Sequence, residues 1–296
     1  MTTAKQTPTL QLFAVCVIIW GTTWLAITYQ LGHVAEEMSV GYRFVLAATA
    51  LFAYCTWKKI PLKFSAKQHG DFVLLGAAMF CISYIFVYYA ETYIISGMVA
   101  VAYSASPMIN MLGARLFFGT PMTRRVAIAS LFGVAGIVAV FWHEFSHISD
   151  SRNAELGLIL TILSVIASSA GSMAATRNAK FGYNTWASMA WSMLYGGFLS
   201  LVVGVAMGKP FTVDITAGYF ASLVYLAIAG SVITFGCYLT LIGRIGPAKA
   251  GYVGVMVPIV ALVVSFFFEK FAWGWLTTLG VALSVVGNVI MLRRGK

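Results

Sequence analysis

Long apolar runs separated by short polar breaks account for almost the whole chain. A hydrocarbon core ~30 Å thick needs about 20 residues of helix at ~1.5 Å rise per residue. Ten runs reach that length: residues 10–29, 38–57, 72–93, 97–118, 124–142, 156–177, 184–207, 216–241, 248–269 and 272–292. Each predicts a membrane-spanning helix. The one long link, 143–155, leaves five runs on either side, which predicts two units, 1–146 and 147–296.

The second unit repeats part of the first. Ser96–Gly119, SGMVAVAYSASPMINMLGARLFFG, has a weak copy in PAKAGYVGVMVPIVALVVSFFFEK. Without gaps, Pro107 falls on Pro258, Phe117 on Phe268, Val134 on Val285, Gly136 on Gly287 and Val138 on Val289. A mid-span proline leaves a backbone carbonyl free, which lipid cannot satisfy but a neighbouring helix or wet cavity can. An odd number of spans per unit makes the second enter from the opposite face, so the pattern predicts inverted repeats around a central cavity. Gly97, Pro107, Gly246, Pro247 and Pro258 are candidate hinges or bends.

Composition agrees with a membrane protein: 60% of residues are hydrophobic and 9% charged, against about 25% charged in soluble domains. Mean hydropathy is +0.87. The basic residues separate by loop. Lys5, Lys58, Lys59, Lys63, Lys67, Arg115, Arg124, Arg125, Arg177, Lys180, Arg244, Lys249, Arg293, Arg294 and Lys296 share one side. The other side holds Arg152, Lys209, Lys270 and most acids, with Arg43 just inside the second run. The positive-inside bias therefore predicts a multi-pass plasma (inner) membrane protein with both termini cytoplasmic. It also explains the net charge of +10 without nucleic acid, for which there is no RNP, zinc-finger or basic-helix pattern. The first run carries Trp20 and Trp24 and lacks a small-x-small cleavage site, so it reads as an uncleaved span. Cys16, Cys55, Cys81 and Cys237 all lie in apolar runs and read as small buried hydrophobes.

Several aromatic sets share one helical face by their spacing of three or four. These are Trp20 and Trp24; Phe80, Tyr84, Tyr88 and Glu91; Tyr103, Pro107 and Asn110; Trp191 and Tyr195; Thr234 and Tyr238; Tyr252 and Met256 beside Pro258. They are candidates to line a substrate cavity, or else to pack. Tyr29, Trp57, Trp142, Trp186, Trp273 and Trp275, near run ends, fit the interfacial belt. Arg43 lies ~7 Å below the edge of its run. There it either pairs with Glu91 or snorkels, or it meets a substrate carboxylate. Asp71, Glu91 and Glu269 lie near run ends, which favours facilitated transport or exchange over proton coupling.

One motif points elsewhere. His143-Glu144-Phe145-Ser146-His147 is a literal H-E-x-x-H, the spacing of a zinc peptidase. It begins where the fifth run ends and continues into a polar linker without a third ligand at a recognised spacing, so it reads as water-facing loop. His33 and His69 stand alone in loops. The sequence thus predicts no enzyme, metal or cofactor.

WGTTW at Trp20–Trp24, Tyr42-Arg43-Phe44, and the segments around Pro107 and Pro258 resemble the drug/metabolite transporter superfamily, EamA type. The resemblance covers nearly the whole chain. It implies an all-α integral membrane protein of ten helices in two inverted five-helix repeats, exporting small metabolites by alternating access. Amino acids or related compounds are the first substrate class implied, with drugs or cations the alternative, for a monomer or weak dimer in the bilayer. The chain departs from a paired acid after each hairpin: Glu269 is present, but the first copy has Gly119 and Thr120.

Overall fold

The computed structural model describes residues 8–119, 124–147, 151–250 and 252–292, and among these there is no strand. The helices are α1 (Thr9–Thr28), α2 (Glu36–Trp57), α3 (Ala66–Leu75), α4 (Ser83–Glu91), α5 (Ser96–Ala102), α6 (Ser106–Phe118), α7 (Arg124–His147), α8 (Ser151–Lys180), α9 (Thr185–Ala206), α10 (Ala217–Val224), α11 (Thr234–Ala250), α12 (Tyr252–Phe268) and α13 (Trp275–Leu292). A π-helical segment, Gly76–Ile82, joins α3 to α4, and a second, Tyr225–Ile233, joins α10 to α11. A 3₁₀ turn, Tyr103–Ala105, joins α5 to α6.

Among the described residues, six continuous stretches are long and apolar enough to cross a membrane: Thr9–Thr28, Glu36–Trp57, Ala66–Glu91, Asn153–Lys180, Thr185–Ala206 and Ala217–Leu241. Ala127–Val140, Val253–Phe268 and Trp275–Ile290 are shorter apolar helices. Large apolar side chains such as Leu116, Phe117, Phe198, Phe267 and Trp275 are exposed on the outside, as an exterior facing lipid requires.

Local chemistry sets several helix ends. Ser65 and Gln68 form a capping box, which starts α3 at Ala66 rather than at residue 72. Asn184 caps α9 by accepting from Trp186 N–H and Ala187 N–H at 3.0 and 3.2 Å. Glu36 and Glu37 occupy the first turn of α2, at the positive end of its dipole. The two prolines behave differently. Pro107 begins α6 after the 3₁₀ turn, and the Tyr103 carbonyl accepts from Ser106 N–H instead. Pro258 is buried inside an unbroken α12.

Packing pairs an element of the first half with one of the second throughout: α7 with α13, α2 with α9, α5 with α12, α1 with α11 and α12, and α4 with α8. Where α7 crosses α13, a Cβ on Gly136 would come 2.6 Å from the Gly280 carbonyl, and one on Gly280 2.6 Å from the Gly136 carbonyl. Two backbones can approach so closely only without side chains. The main apolar core runs through Phe44, Leu51, Phe80, Met98, Met193, Leu226 and Leu262.

Candidate functional site

α2 carries Arg43 two turns inside its start, and the residue is 2% exposed. Its guanidinium carbon stands 4.6 Å from the Tyr84 ring centroid and 5.2 Å from that of Phe44, within cation–π range. Nε and Nη1 have no hydrogen-bond partner. The two π-helical segments flank this residue. Phe80 of the first packs on Phe44 at 5.1 Å, and Gly230 of the second lies beside the guanidinium. Wide turns of this type concentrate at functional sites.

Tyr88 is fully buried and donates to Gln30 Oε1 at 2.8 Å. One turn on, Glu91 is 7% exposed and neither carboxylate oxygen has a partner. The pairing of Arg43 with Glu91 that the sequence suggested does not form. Ion pairs among the described residues include His33–Asp214 and Arg177–Asp71.

Four more candidates join this cluster through α1, α11 and the 3₁₀ turn. Tyr103 meets Trp24 ring to ring at 5.1 Å and shares its hydroxyl with Ser83 at 3.0 Å and with Ser164. Trp20, one turn before Trp24, donates to the Gly230 carbonyl at 3.1 Å and packs on Tyr238 at 5.3 Å. Trp20, Trp24, Arg43, Tyr84, Tyr88, Tyr103 and Tyr238 therefore form one chain of neighbours.

Other candidates lie apart. Trp191 donates to the Leu62 carbonyl at 3.2 Å and packs on His69 and Tyr195, at the end of the molecule where Arg177 meets Asp71. His69 is thus neither alone nor in a loop: it lies in α3, with Nδ1 2.8 Å from the Tyr195 hydroxyl. His33 likewise pairs with Asp214 at 2.9 Å. Trp186, in the first turn of α9, packs on Tyr54 at 4.9 Å. Pro107 and Asn110 are half-buried, Met256 is exposed, and Pro258 faces Val101 and Ser104 of the fourth segment. The Tyr252 side chain lies outside the described residues, as do those of His143, Glu144 and His147. The backbone there is described, and α7 continues through His147, so the H-E-x-x-H is helical rather than loop. No group of three potential metal ligands occurs among the described residues.

Glu269 was the residue whose role the sequence left open. Its Oε1 accepts from Ser96 N–H at 3.2 Å and its Oε2 from Ser96 Oγ at 2.6 Å and from Ser265 Oγ. It caps α5 from the end of α12. Gly97, a candidate hinge, is held there by its N–H donating to Ser265 Oγ at 3.0 Å. Cavities open near both ends of α1. One of about 310 Å³ is lined by Leu12, Tyr54, Trp186 and Cys237. Another of about 530 Å³ is lined by Leu25, Tyr29, Tyr219 and Glu269. Trp20 and Trp24 lie on α1 between the two.

Residues 7–142 and 155–293 each match the EamA-like transporter family. The chain belongs to that family. EamA proteins are transporters rather than enzymes, which removes the peptidase reading of the H-E-x-x-H. Similar chains include protein PagO of Salmonella typhimurium, 21% identical over 94% of this chain and 90% of its own length. The uncharacterized inner membrane transporter YedA of Escherichia coli K12 is 26% identical over 83% of this chain and 78% of its own. A probable amino-acid metabolite efflux pump of the same organism is 21% identical over 94% and 93%. A crystal structure at 16% identity superposes with a TM-score of 0.70 over 95% of both chains, which shows the shared fold.

Proposed function

We propose that this EamA-family chain exports small metabolites, amino acids or close derivatives first among them, across the inner membrane by alternating access. The observation that carries the reading is the buried Arg43–Tyr84–Tyr88–Tyr103 cluster, with cavities toward either end of α1 and paired elements of the two halves around it. A carrier needs a site reachable in turn from each side, placed where its repeats meet. Units 1–146 and 147–296 act as the two inverted repeats, and both termini face the cytoplasm. Support for amino acids comes from the E. coli relative named as a probable amino-acid metabolite efflux pump. Arg43 suits a solute carboxylate and disfavours a purely cationic drug. The two π-helical segments support the repeat: Gly76–Ile82 and the end of Tyr225–Ile233 stand at the same offset as Pro107 and Pro258.

The test is flux in liposomes containing only this protein, with a panel of amino acids, nucleosides and cationic drugs. Saturable amino-acid movement without an imposed proton gradient is expected. Flux of cationic drugs alone would replace this substrate class, and no flux from folded protein would end the carrier reading.

A further inference from the structure

Arg43 and Glu91 are a base and an acid in one buried cluster, and they do not touch. Arg43 is 2% exposed and Glu91 7% exposed. Two guanidinium nitrogens and both carboxylate oxygens lack a hydrogen-bond partner. Each charge lies within the other's field, yet no nitrogen–oxygen distance between them falls within 4.0 Å. A buried ion pair is tolerated when the two groups hydrogen-bond each other closely, and a gap forfeits that compensation.

The neighbours hold the two apart. Tyr84 and Phe44 present their rings to the guanidinium, and the Tyr88 hydroxyl is anchored to Gln30. Glu91 has one other charged neighbour, Glu269, whose carboxylate is already taken by Ser96 and Ser265. Arg43 therefore has donors without an acceptor, and Glu91 has acceptors without a donor. Gln30 Nε2, beyond Tyr88, is a third buried donor without a partner.

We propose that Arg43 and Glu91 together form a site for a zwitterion, with the solute carboxylate on Arg43 and its ammonium on Glu91. This rests on the carrier reading above and adds to it the charge rule by which solutes are admitted. An α-amino acid carries both groups on one carbon and satisfies both sets of orphan atoms at once. A solute with only one charge leaves the opposite residue buried and unpaired. Sites built to hydrogen-bond a group discriminate strongly against analogues that lack it, so about 100-fold weaker binding is expected for each. The rings of Tyr84, Trp24 and Tyr103 remain to meet the solute's side chain.

The experiment uses the full chain in detergent and in liposomes with phenylalanine, phenethylamine (ammonium only) and 3-phenylpropanoate (carboxylate only). A second series of leucine, isoamylamine and 4-methylpentanoate controls for the side chain. The expected result is thermal stabilisation by both amino acids, with about 100-fold higher concentrations needed for the one-charge analogues. Glu91→Gln should narrow the gap for 3-phenylpropanoate, and Arg43→Gln the gap for phenethylamine. That crossed pattern is one a merely structural role cannot produce. The wild-type series stands even if either variant fails to fold. Equal binding of zwitterions and one-charge analogues, or equal loss of all ligands in both folded variants, would overturn the proposal. Flux of amines alone would overturn it while leaving the carrier reading intact. Zwitterion binding without flux would support the site and overturn the carrier reading.

Discussion

Glu269 and Ser96 are joined twice, the carboxylate taking both the backbone N–H at 3.2 Å and the hydroxyl at 2.6 Å. Glu269 ends a helix of the second half and Ser96 begins one of the first, so this contact ties the halves together. The carboxylate also faces the positive end of the α5 dipole.

Glu269→Gln keeps the shape but removes the charge. A hydrogen bond to an ionised group contributes about 1.5–3 kcal/mol, and partial exposure reduces it here. A lower thermal unfolding temperature in detergent is expected, with a loss of about 1–2 kcal/mol. An unchanged transition would mean that the tie contributes nothing to holding the halves.

Gly136→Ala tests the crossing of α7 and α13. The new Cβ would fall 2.6 Å from the Gly280 carbonyl, backbone that has nowhere to go. Overpacking of this kind costs about 1–3 kcal/mol. Thermal unfolding should show that loss, and a change within ~0.3 kcal/mol would show that the helices part without cost.

Asp214, in the link before α10, gives a pH dependence. Its carboxyl is held below the usual carboxylate range by the Thr216 backbone N–H at 2.8 Å, then by the Thr216 hydroxyl and by His33. A depressed folded pKa means stabilisation that is present above the ordinary value of about 4 and lost as pH falls through the lower folded value. Hydrogen exchange of the 214–217 backbone should therefore quicken, relative to the intrinsic rate, below about pH 4. Asp214→Asn should abolish that step, and a step that persists in the variant would assign it to another group.

Cys237 is a built-in reporter. Cys16, Cys55 and Cys81 are buried, while Cys237 is partly exposed and lines the cavity near Tyr54 and Trp186. A water-soluble maleimide should label one thiol quickly, and Cys237→Ser should remove that fast phase. A transported solute should change the labelling rate as the cavity opens or closes. Fast labelling that survives the substitution would place the accessible thiol elsewhere.

Which parts of this were legible follows from how local each signal is. Apolar run length is local, and six of the ten stretches read from it are helices long and apolar enough to span among the described residues, with ends displaced where caps or polar turns intervene. The Ser65–Gln68 capping box was present in the sequence, yet polar Lys67, Gln68, His69 and Asp71 hid the early start of α3. Arg43 stood out as a charge in an apolar run. Glu91 could be named as its partner, but the gap that separates them could not, because a gap between two helices depends on their rotation and offset, which spacing along one chain does not encode. The same limit separated Trp191 from Trp20 and Trp24: all three are aromatic on apolar helices, but Trp191 turns toward His69. Serines 83 and 164, which hold Tyr103, looked like ordinary small packing residues.

The wide turns at Gly76–Ile82 and Tyr225–Ile233 carry a further consequence. A turn closed by i→i+5 bonds takes up roughly one extra residue, so whatever follows is rotated by about 100° relative to a regular helix. Tyr88 and Glu91 thus owe their bearing to a seven-residue turn earlier in the chain. Deleting one residue inside that turn would mend the ladder and swing both groups out of phase with Arg43, leaving a sound rod aimed in the wrong direction.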